Sequence, residues 1–599
     1  MKRLGIFFCY DKQGIIDDYI FHFLDDICQN LEELCIVSNG KLTDISQEKL
    51  KKYTNNLVFR PNRGFDAVAW RDVMVDNYGF EKLKEFDEVV LFNDSFFGPI
   101  YPFKIMFDKM EKEDIDFWGI TEQDESPKSN KLCPYKKPPR HIQTYFLAFR
   151  RNLFKSQEFQ DYWKNLPDYK TRKELTYKHE VVFTKYFSDL GYRWKPYIQL
   201  SDDYLRQENM DFLSFDMYEM ISNKDLPILK KDPFKIDWKS HLYYSFANDL
   251  SKTIDYVKEN TDYDVSLIYK CLLRIMDPNE IVNALHLIKI FTKDRICQYQ
   301  TSKKVLAIIH VYYEELWEYD LKYLKNIPDY IDILITTDTD DKKEFFEENV
   351  VKHLKNDTKV IKIYSRGRDM ASLLVASRDI VKNYDYFCFM HDKKSHLGDV
   401  VTWANTFRDV LWENNLASES YINRIIQEFD ENSSLGLMVP PKIYHGDFFH
   451  GYVTNYWVKN FDTTLNLLEQ MGISTPINKS NPTLSLGNCF WARYDAVEPI
   501  FDLYLDYTDF PQEPVPLNGA ISHALERIYP YVAASREYLT EIVMTEEYAK
   551  SNMLNYNYML LNTVQEIYSD NPGKDYLFSS FRCFYNSFNK LIKRKHKNE

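Results

Sequence analysis

Two aspartates, Asp94 and Asp392, mark the places where chemistry could occur, because each directly follows a short run of largely apolar residues. The first run is Val89-Val90-Leu91-Phe92, and it is followed at once by the polar triplet Asn93-Asp94-Ser95. Apolar runs of this length are typical of strands that are covered on both faces. Ligands of open α/β sheets bind outside the carboxyl ends of such strands, and a hard divalent cation with a diphosphate needs a carboxylate there. The alternative for Asp94, taken alone, is that it only opens a turn.

The surroundings of the two aspartates recur in the same order. A glycine-containing segment ends 28 residues before Asp94 and 23 residues before Asp392, which leaves room for one helix between two strands. An apolar segment ending in arginine lies downstream of each, and a helix-like segment with histidine and glutamate follows. The recurring pairs are Asn62-Arg63-Gly64-Phe65-Asp66 with Ser365-Arg366-Gly367-Arg368-Asp369, Tyr145-Phe146-Leu147-Ala148-Phe149-Arg150 with Asn488-Cys489-Phe490-Trp491-Ala492-Arg493, and His179-Glu180 with His523 to Glu526. Four elements repeated in order indicate two copies of one α/β domain.

The composition is that of a globular protein, with 599 residues of which 44% are hydrophobic and 28% charged. A chain of this length is too long for one core, so we expect two domains and additional elements. The net charge of −14 argues against nonspecific nucleic-acid binding. Nine scattered cysteines without a Cys-x-x-Cys motif predict a reduced, cytoplasmic protein without structural zinc. No uncharged stretch approaches the length of a membrane span, and Asp11 ends the first apolar run too soon for a signal peptide.

Strands and helices alternate from the start of the chain, which predicts a parallel sheet whose first strand ends hold the base of a nucleotide. Between residues 201 and 303 the pattern changes to helices without strands, and Asp277-Pro278-Asn279-Glu280 is typical of a helix start. We therefore predict α/β domains at residues 1–200 and 304–545, a helical connector at 201–303 and a helical tail at 546–599. In the first domain Gly64 permits a backbone conformation or close approach that a side chain would block, and Asp66 either caps the following helix or binds a ligand.

The last part of the tail, from Tyr576 to Glu599, has its own pattern. Aromatic and aliphatic residues recur at helical spacing from Leu577 to Ile592, and five basic residues cluster between Lys590 and Lys597. An apolar face with a basic end predicts a helix that lies in the plane of an anionic membrane surface. The alternative is a helix packed on the protein with a solvated basic end.

The same motifs resemble those of the rhamnan synthesis protein F family, and the resemblance spans both predicted α/β domains. The residues that carry it are Asn62 to Asp66, Leu91 to Ser95 and Thr144 to Arg150 in the first half, and Arg366 to Asp369, His391 to Ser395, Phe490 to Arg493 and Asn518 to Arg527 in the second. The resemblance implies bacterial rhamnosyltransferases that build cell-wall rhamnose polysaccharide from dTDP-L-rhamnose on a lipid-linked acceptor. It further implies Rossmann-like catalytic domains of the metal-dependent GT-A type, which work at the cytoplasmic membrane face beside other polysaccharide-assembly glycosyltransferases.

On this basis we predict two donor sites. The predicted donor-binding residues are Asn62, Arg63, Gly64, Asp66 and Asp94 in the first domain, and Arg366, Gly367, Asp369, Asp392, Lys393 and Lys394 in the second. Mg²⁺ or Mn²⁺ is predicted on Asp94 and on Asp392, held by the carboxylate and the donor phosphates. The GT-A type usually carries Asp-x-Asp, whereas each motif here offers one carboxylate. Weak metal binding, or lysine charge in place of the metal in the second domain, therefore stays open.

Sugar transfer from a nucleotide donor also needs a general base for the acceptor hydroxyl. Inversion at the anomeric carbon needs one base at each site, and position along the chain favours Glu180 in the first domain. Glu526 is the first choice in the second domain and Glu513 the next, although each glutamate could instead be a surface or salt-bridged residue. Three hypotheses follow: a bifunctional rhamnosyltransferase, one active domain with a scaffold or glycan-binding partner domain, and a nonenzymatic assembly protein.

Overall fold

The computed structural model describes residues 1–126, 128–199, 212–394, 401–443, 457, 459–485, 487–515 and 519–569. The strands are β1 Arg3–Cys9, β2 Glu33–Asn39, β3 Leu57–Arg60, β4 Glu88–Asn93, β5 Phe96–Phe97, β6 Phe117–Gly119, β7 Glu122–Gln123, β8 His141–Ile142, β9 Phe146–Arg150, β10 Trp194–Pro196, β11 Leu229–Lys230, β12 Ile288–Phe291, β13 Val305–His310, β14 Asp332–Thr337, β15 Thr358–Lys362, β16 Tyr386–His391, β17 Leu435–Val439, β18 Phe490–Arg493 and β19 Leu539–Thr545.

Helices connect most of these strands. The α-helices are Asp18–Ile27, Asp44–Leu50, Phe65–Asp72, Gly79–Leu83, Phe103–Glu111, Arg151–Phe154, Gln157–Lys164, Arg172–Leu175, Val181–Asp189, Phe212–Phe215, Met217–Lys224, Asp232–Lys235, Trp238–Tyr244, Asp249–Asn260, Ser266–Ile275, Pro278–Leu285, Trp317–Leu324, Asp340–Asn349, Arg368–Ala371, Arg378–Val381, Val401–Leu416, Glu419–Glu431, Phe461–Gln470, Tyr494–Phe501, Ile521–Ser535 and Glu546–Ser569. Short 3₁₀ turns lie at Cys28–Asn30, Glu314–Leu316, Val351–His353 and Tyr507–Asp509, and π-helical turns at Val73–Tyr78, Thr176–Glu180 and Ser372–Ala376.

The first sheet has the strand order β10-β6-β9-β4-β1-β2-β3. Its strands are parallel except β9, which runs antiparallel to both β4 and β6. Alternate side chains of β1 pack into different clusters, with Phe7 on one face of the sheet and Ile6 and Phe8 on the other. Both faces of β1 and β4 are therefore covered, which explains the continuous apolar runs in their sequences.

The second sheet repeats this arrangement, with the order β12-β19-β17-β18-β16-β13-β14-β15. Read from β15, it follows the first sheet strand by strand, including the antiparallel β18 beside β16, and it adds β12 at its outer edge. Phe8 pairs with Asn93 in the first sheet and His310 pairs with His391 in the second. Asp94 and Asp392 therefore follow equivalent strand ends, as the repeated motifs predict. The domain boundaries at residues 200, 303 and 545 stay predictions.

The prediction of a connector without strands is wrong. Residues 212–285 are largely helical, but β11 pairs with β5 and β12 extends the second sheet through parallel pairing with β19. In β12 only alternate residues are partly covered, and Ile288 and Ile290 are exposed, so this edge strand lacks the apolar run that marks β1 or β4. The connector is also packed closely, because Leu250, Ile268 and Leu272 share a core cluster with Phe7 and Phe92 of the first sheet.

The helix Glu546–Ser569 begins the predicted tail. The predicted membrane-surface segment from residue 576 to residue 597 lies outside the described residues. None of the helices in the described ranges combines the length and the apolar character needed to cross a membrane.

Candidate functional site

Asp94 lies at the carboxyl end of β4, where it faces the loop that follows β1. Its Oδ2 atom lies 3.5 Å from the backbone nitrogen of Tyr10, which donates to it, and its backbone oxygen accepts a 2.9 Å hydrogen bond from the Tyr19 hydroxyl. Burial raises the pKa of Asp94, and the positive charge of Lys231 partly opposes that shift. The sequence signal for this carboxylate was its position after the strand, and the structure places it at the predicted edge of the sheet.

Asp66 and Asn93 bring the glycine-containing loop to the same edge. Asn93 Nδ2 donates to Asp66 Oδ2 at 2.7 Å, and Asp66 Oδ1 accepts from the backbone N–H of Ala67 at 2.8 Å. Burial raises the pKa of Asp66, and the neighbouring Glu180 acts in the same direction. The helix Phe65–Asp72 has Gly64 at its N-cap, so Asp66 lies inside the first turn and does not cap the helix in the sense considered from the sequence.

Glu180 lies next to this pair, in a π-helical turn. Its Oε2 atom accepts a 2.8 Å hydrogen bond from the Thr144 hydroxyl, two residues before β9. His179, beside it in the sequence, is fully buried, and its Nδ1 is 2.9 Å from the Tyr162 hydroxyl, while burial lowers its pKa to about 3. His179 is buried in the core, whereas Glu180 is close enough to Asp66 to influence its pKa. Of these two residues, therefore, only Glu180 could take part in a reaction at this edge of the sheet.

The remaining predicted residues of the first loop have structural contacts. Arg63 pairs with Asp168 and, at 3.2 Å, with Asp72, whereas Asn62 accepts a hydrogen bond from Asn39. Gly64 has a φ of +64°, and a Cβ atom there would lie 2.5 Å from Val68 Cγ2. The loop therefore needs glycine for both its conformation and its close packing.

Asp392 is held more firmly than Asp94. Its Oδ2 atom accepts hydrogen bonds from the backbone N–H groups of Tyr312 at 2.8 Å and Tyr313 at 2.7 Å. Tyr10 lies two residues after Phe8, which pairs with Asn93, and Tyr312 lies two residues after His310, which pairs with His391. Both aspartates therefore bind the equivalent loop. Burial raises the pKa of Asp392 to about 6, against the effect of these two amides.

His391 occupies the position of Asn93 and changes the charge of the second site. Its Nε2 lies 2.8 Å from the oxygen of Gly487 and 4.0 Å from Asp369 Oδ2, while its Nδ1 lies 2.9 Å from the backbone oxygen of Asp392. Asn488 Nδ2 donates to Asp369 at 2.8 Å. Burial raises the pKa of Asp369, but His391 and Asn488 outweigh it and the net shift is downward. Asp66 and Asp369 thus have opposite pKa shifts, because a neutral amide stands beside one and an imidazole beside the other.

Two adjoining cavities open beside Asp369, with volumes of about 510 Å³ and about 200 Å³. Asp369, His391 and Lys393 line both cavities. The larger is also lined by Asp392, Tyr312, Tyr313, Lys394 and Glu513, and the smaller by Asn488, His523 and Glu526. The larger cavity is of a size that accommodates a small-molecule ligand.

The two glutamates predicted for the second site differ in their contacts. Glu526 Oε1 accepts from the backbone N–H of Gly487, just before β18, as Glu180 accepts from Thr144 just before β9. Glu526 Oε2 lies 3.0 Å from Arg527. Glu513 instead binds Arg368 through two contacts of 2.7 and 2.8 Å, and this pairing lowers its pKa. Glu526 is therefore the counterpart of Glu180.

The predicted basic residues of the second site separate in the structure. Lys393 lies 3.9 Å from the centre of the Phe407 ring and borders both cavities, whereas Lys394 pairs with Glu315 on the surface. Arg366 donates to the backbone oxygens of Phe510 and Thr508 at 2.7 and 2.8 Å, so it holds a loop. Gly367 has a φ of +91°, and a Cβ atom there would lie 2.7 Å from the Phe510 ring.

A divalent cation would be held at each of these sites by one aspartate and by phosphate oxygens of the ligand. Within the described ranges, no three His, Cys, Asp or Glu side chains form a metal-binding group. Asp392 uses Oδ2 for two amides, and none of the described residues donates a hydrogen bond to its Oδ1 atom. Asp94 likewise offers a single carboxylate. Such a set suits Mg²⁺ or Mn²⁺ held by one carboxylate together with phosphate oxygens.

Sequence patterns did not indicate several residues at these edges. They are the loop amides of Tyr10, Tyr312 and Tyr313, the amide of Asn488, the imidazole of His391, and Lys230 and Lys231 from the connector. His391 and Asn488 lay inside quoted motifs, so their positions next to Asp392 and β18 were the available signals. The two lysines contact residues about 135 positions away in the chain, and no local pattern reports such a contact.

A family model described as rhamnan synthesis protein F matches residues 34–538 of this chain. An uncharacterized protein of Sinorhizobium fredii is 23% identical over 191 residues, which are 32% of this chain and 46% of that protein. An uncharacterized protein of Xanthomonas campestris pv. campestris is 25% identical over 228 residues, 38% of this chain and 31% of that protein. The chain therefore spans less than half of the length of each of these relatives.

Solved structures with partial similarity were also found. A mannosyltransferase from Pyrobaculum calidifontis in complex with GDP-mannose and Mn²⁺ is 11% identical, with a TM-score of 0.24 and coverage of 50% of this chain and 68% of that chain. A 4-diphosphocytidyl-2C-methyl-D-erythritol synthase from Anaerococcus prevotii is 16% identical, with a TM-score of 0.21 and coverage of 33% and 86%.

Proposed function

This chain belongs to the rhamnan synthesis protein F family, a family of glycosyltransferases, and we propose that it transfers L-rhamnose from dTDP-L-rhamnose at two sites, one on each sheet. The observation that carries the proposal is a repeated pair of aspartates. Asp94 with Asp66, and Asp392 with Asp369, lie at equivalent strand ends and helix starts, and the second pair lines a cavity of about 510 Å³. In open α/β sheets this edge is where ligands bind.

The donor diphosphate is the group that these aspartates would serve. Mg²⁺ or Mn²⁺, when bound to Asp94 or Asp392 and to the phosphates, would offset the negative charge of the departing diphosphate. The backbone amides of Tyr312 and Tyr313 hold Oδ2 of Asp392 and so orient the whole carboxylate, including its Oδ1 atom. In the second site Lys393 and the imidazole of His391 add positive charge beside the cavity.

The acceptor hydroxyl must lose a proton as the new glycosidic bond forms. We assign this proton to Glu180 at the first site and to Glu526 at the second, with an inverted anomeric carbon as the outcome. Their equivalent positions beside β9 and β18 support the pairing. Glu513 remains the alternative at the second site, although its two contacts with Arg368 favour a role in closing the cavity wall.

A lipid-linked oligosaccharide is the proposed acceptor, which places the reaction at the inner face of the cell membrane beside other polysaccharide-assembly glycosyltransferases. The basic, aromatic segment at residues 576–597 would attach the chain to anionic lipid. Deletion from residue 576 should release the protein from anionic vesicles and leave transfer to a short, water-soluble acceptor intact. Equal pelleting of the truncated and full chains would remove the segment from this role.

One specific difference favours a second candidate, in which only one site is catalytic and the other binds glycan or acts as a scaffold. Asn93 is neutral where His391 stands in the second site, so the two sites do not present the same charge to a diphosphate.

The donor is tested by incubating the full chain with a panel of nucleotide sugars and a short rhamnose-containing acceptor, and measuring both nucleoside diphosphate release and product mass. We expect acceptor-dependent release from dTDP-L-rhamnose. A clear preference for another nucleotide sugar would change the donor, and no transfer from any donor would favour the nonenzymatic assembly role.

A further inference from the structure

The connector runs directly alongside the residues that follow Asp94. Strand β11 pairs antiparallel with β5, with Leu229 opposite Phe97 and Lys230 opposite Phe96. The backbone N–H of Lys231 then donates to the oxygen of Ser95 at 3.0 Å. A segment from outside the first α/β repeat is thus fixed at the carboxyl end of β4.

This pairing brings two ammonium groups to the Asp94 edge. Lys231 Nζ donates to the Tyr19 hydroxyl at 2.7 Å and to the backbone oxygen of Asp94 at 3.2 Å. Lys230 Nζ donates to the Ser95 hydroxyl at 2.7 Å and lies 4.0 Å from the centre of the Tyr145 ring. Both lysines are partly buried. Their contacts with Ser95 and Asp94 place both charges where a ligand of Asp94 would lie.

Both oxygens that accept hydrogen bonds from Lys231 are neutral. In the described part of the chain, no carboxylate oxygen lies within 4.0 Å of its Nζ atom, and an ammonium has three protons of which these two contacts use two. A partly buried cation is costly unless an anion pairs with it. The Asp94 carboxylate is near enough for the charge of Lys231 to oppose the upward pKa shift of Asp94, while Asp232 pairs with Arg172 at 3.2 Å.

A second connector contact holds the loop that follows β1. Arg274, on the helix Ser266–Ile275, binds Asp17 through two contacts of 2.7 Å and Asp11 at 2.9 Å. Both aspartates belong to the loop after β1 whose Tyr10 N–H faces Asp94. The connector therefore fixes this loop and supplies the lysines.

We propose that Lys230 and Lys231 bind the diphosphate of the nucleotide ligand at the first site. The connector would then contribute ligand-binding residues to that site. This rests on the proposed function for the identity of the nucleotide, but the ligand chemistry it requires is only a diphosphate anion. The ammonium groups contact the Ser95 hydroxyl and the Asp94 backbone oxygen, so they would form charge-assisted hydrogen bonds with the two phosphates of a ligand bound beside the Asp94 carboxylate. The second site takes its cations from its own repeat, through His391 and Lys393.

The test uses the full chain, with inorganic pyrophosphate and, separately, dTDP as probes. Hydrogen exchange of peptides covering residues 90–98 and 226–236 reports binding at the first site alone, independently of the second. We expect pyrophosphate to protect both peptides, and Lys231→Gln or the double change with Lys230→Gln to lower the affinity by about tenfold or more. Lys231→Arg should retain most of the affinity, and Lys252→Gln, an exposed connector lysine, should not change it.

Thermal unfolding of each variant separates a folding defect from lost binding, and Lys230→Gln alone serves if the double variant unfolds. Unchanged pyrophosphate affinity in a folded Lys231→Gln variant would overturn the proposal. A chain that binds pyrophosphate through these lysines but transfers sugar from no donor would keep this anion site and remove the proposed function. A double variant that still transfers sugar at the first site with the wild-type donor KM would keep the proposed function and remove the two lysines from donor binding.

Discussion

The imidazole of His391 lies with Nε2 4.0 Å from the carboxylate of Asp369, and each of its nitrogens faces a backbone carbonyl oxygen. A carbonyl oxygen only accepts hydrogen bonds, so both nitrogens must carry protons for both contacts to be satisfied. Burial opposes a charged ring, but Cys489 and Asp369 outweigh it and raise the pKa of His391 to about 10. The second site is therefore built around an imidazolium.

His391→Asn, which copies Asn93 of the first site, should lower stability at pH 7 by about 1–3 kcal/mol. The folded pKa lies above the unfolded value near 6.5, so the contribution of the charge is complete below pH 6.5 and is lost as the pH rises through about 10. Urea unfolding of both proteins between pH 5.5 and 10 measures this difference. A gap that stays constant over that range would show that the ring is neutral in the folded protein.

Gly64→Ala and Gly367→Ala should each destabilise the protein by about 1–3 kcal/mol and weaken nucleotide binding, because a Cβ atom would meet Val68 or Phe510 in a left-handed conformation. Gly40→Ala is the matched control, since Gly40 has a φ of +106° with nothing within 4 Å of its Cβ position. Thermal unfolding compares the three. Equal losses would mean that backbone strain alone, without close packing, explains these glycines.

Glu180→Gln and Glu526→Gln should lower kcat about a hundredfold or more and leave donor KM nearly unchanged, because removal of a base affects the proton transfer. Glu513→Gln should act mainly on KM, since Glu513 holds Arg368 at the cavity wall. Steady-state kinetics with separated product linkages measures all three variants. A large kcat loss in Glu513→Gln with little loss in Glu526→Gln would exchange the two roles.

Lys393→Gln should weaken dTDP binding at the second site by about tenfold, and Lys394→Gln should change it far less. Lys393 borders both cavities, whereas Lys394 forms a surface pair with Glu315 in which the side chains are 46% and 55% exposed. Pairs of that kind contribute at most about 1 kcal/mol. Calorimetric titration of dTDP provides the comparison. Equal losses of dTDP affinity in the two variants would mean that both lysines bind the nucleotide.

Much of the scaffold could be predicted because its signals are local. The continuous apolar runs of β1, β4 and β16 mark strands covered on both faces, and the recurrence of Asp94 as Asp392 indicates the repeated sheet. Strand β12 was not predicted because it lies at the edge of the sheet, where every second residue is exposed and no continuous apolar run marks the strand. Its pairing is decided by β19, about 250 residues further along the chain.

The site residues that could be predicted are those that directly follow a strand. Asp94 and Asp392 lie where the runs place them, but Arg63 and Arg366, which share the same motifs, bind Asp168 and the Phe510 carbonyl oxygen. A long basic side chain beside a glycine can reach in several directions, and tertiary packing chooses among them. The protonation of His391 depends in the same way on carbonyl groups brought from distant segments.

The central claim is that two equivalent strand-end aspartates serve two transfer reactions. It is tested most directly by assaying Asp94→Asn, Asp392→Asn and the double variant with labelled dTDP-L-rhamnose and an acceptor whose product linkages can be separated. We predict that each single variant loses one linkage and retains the other, and that the double variant, folded by thermal unfolding, forms neither. Transfer at the wild-type rate by the folded double variant would contradict the account.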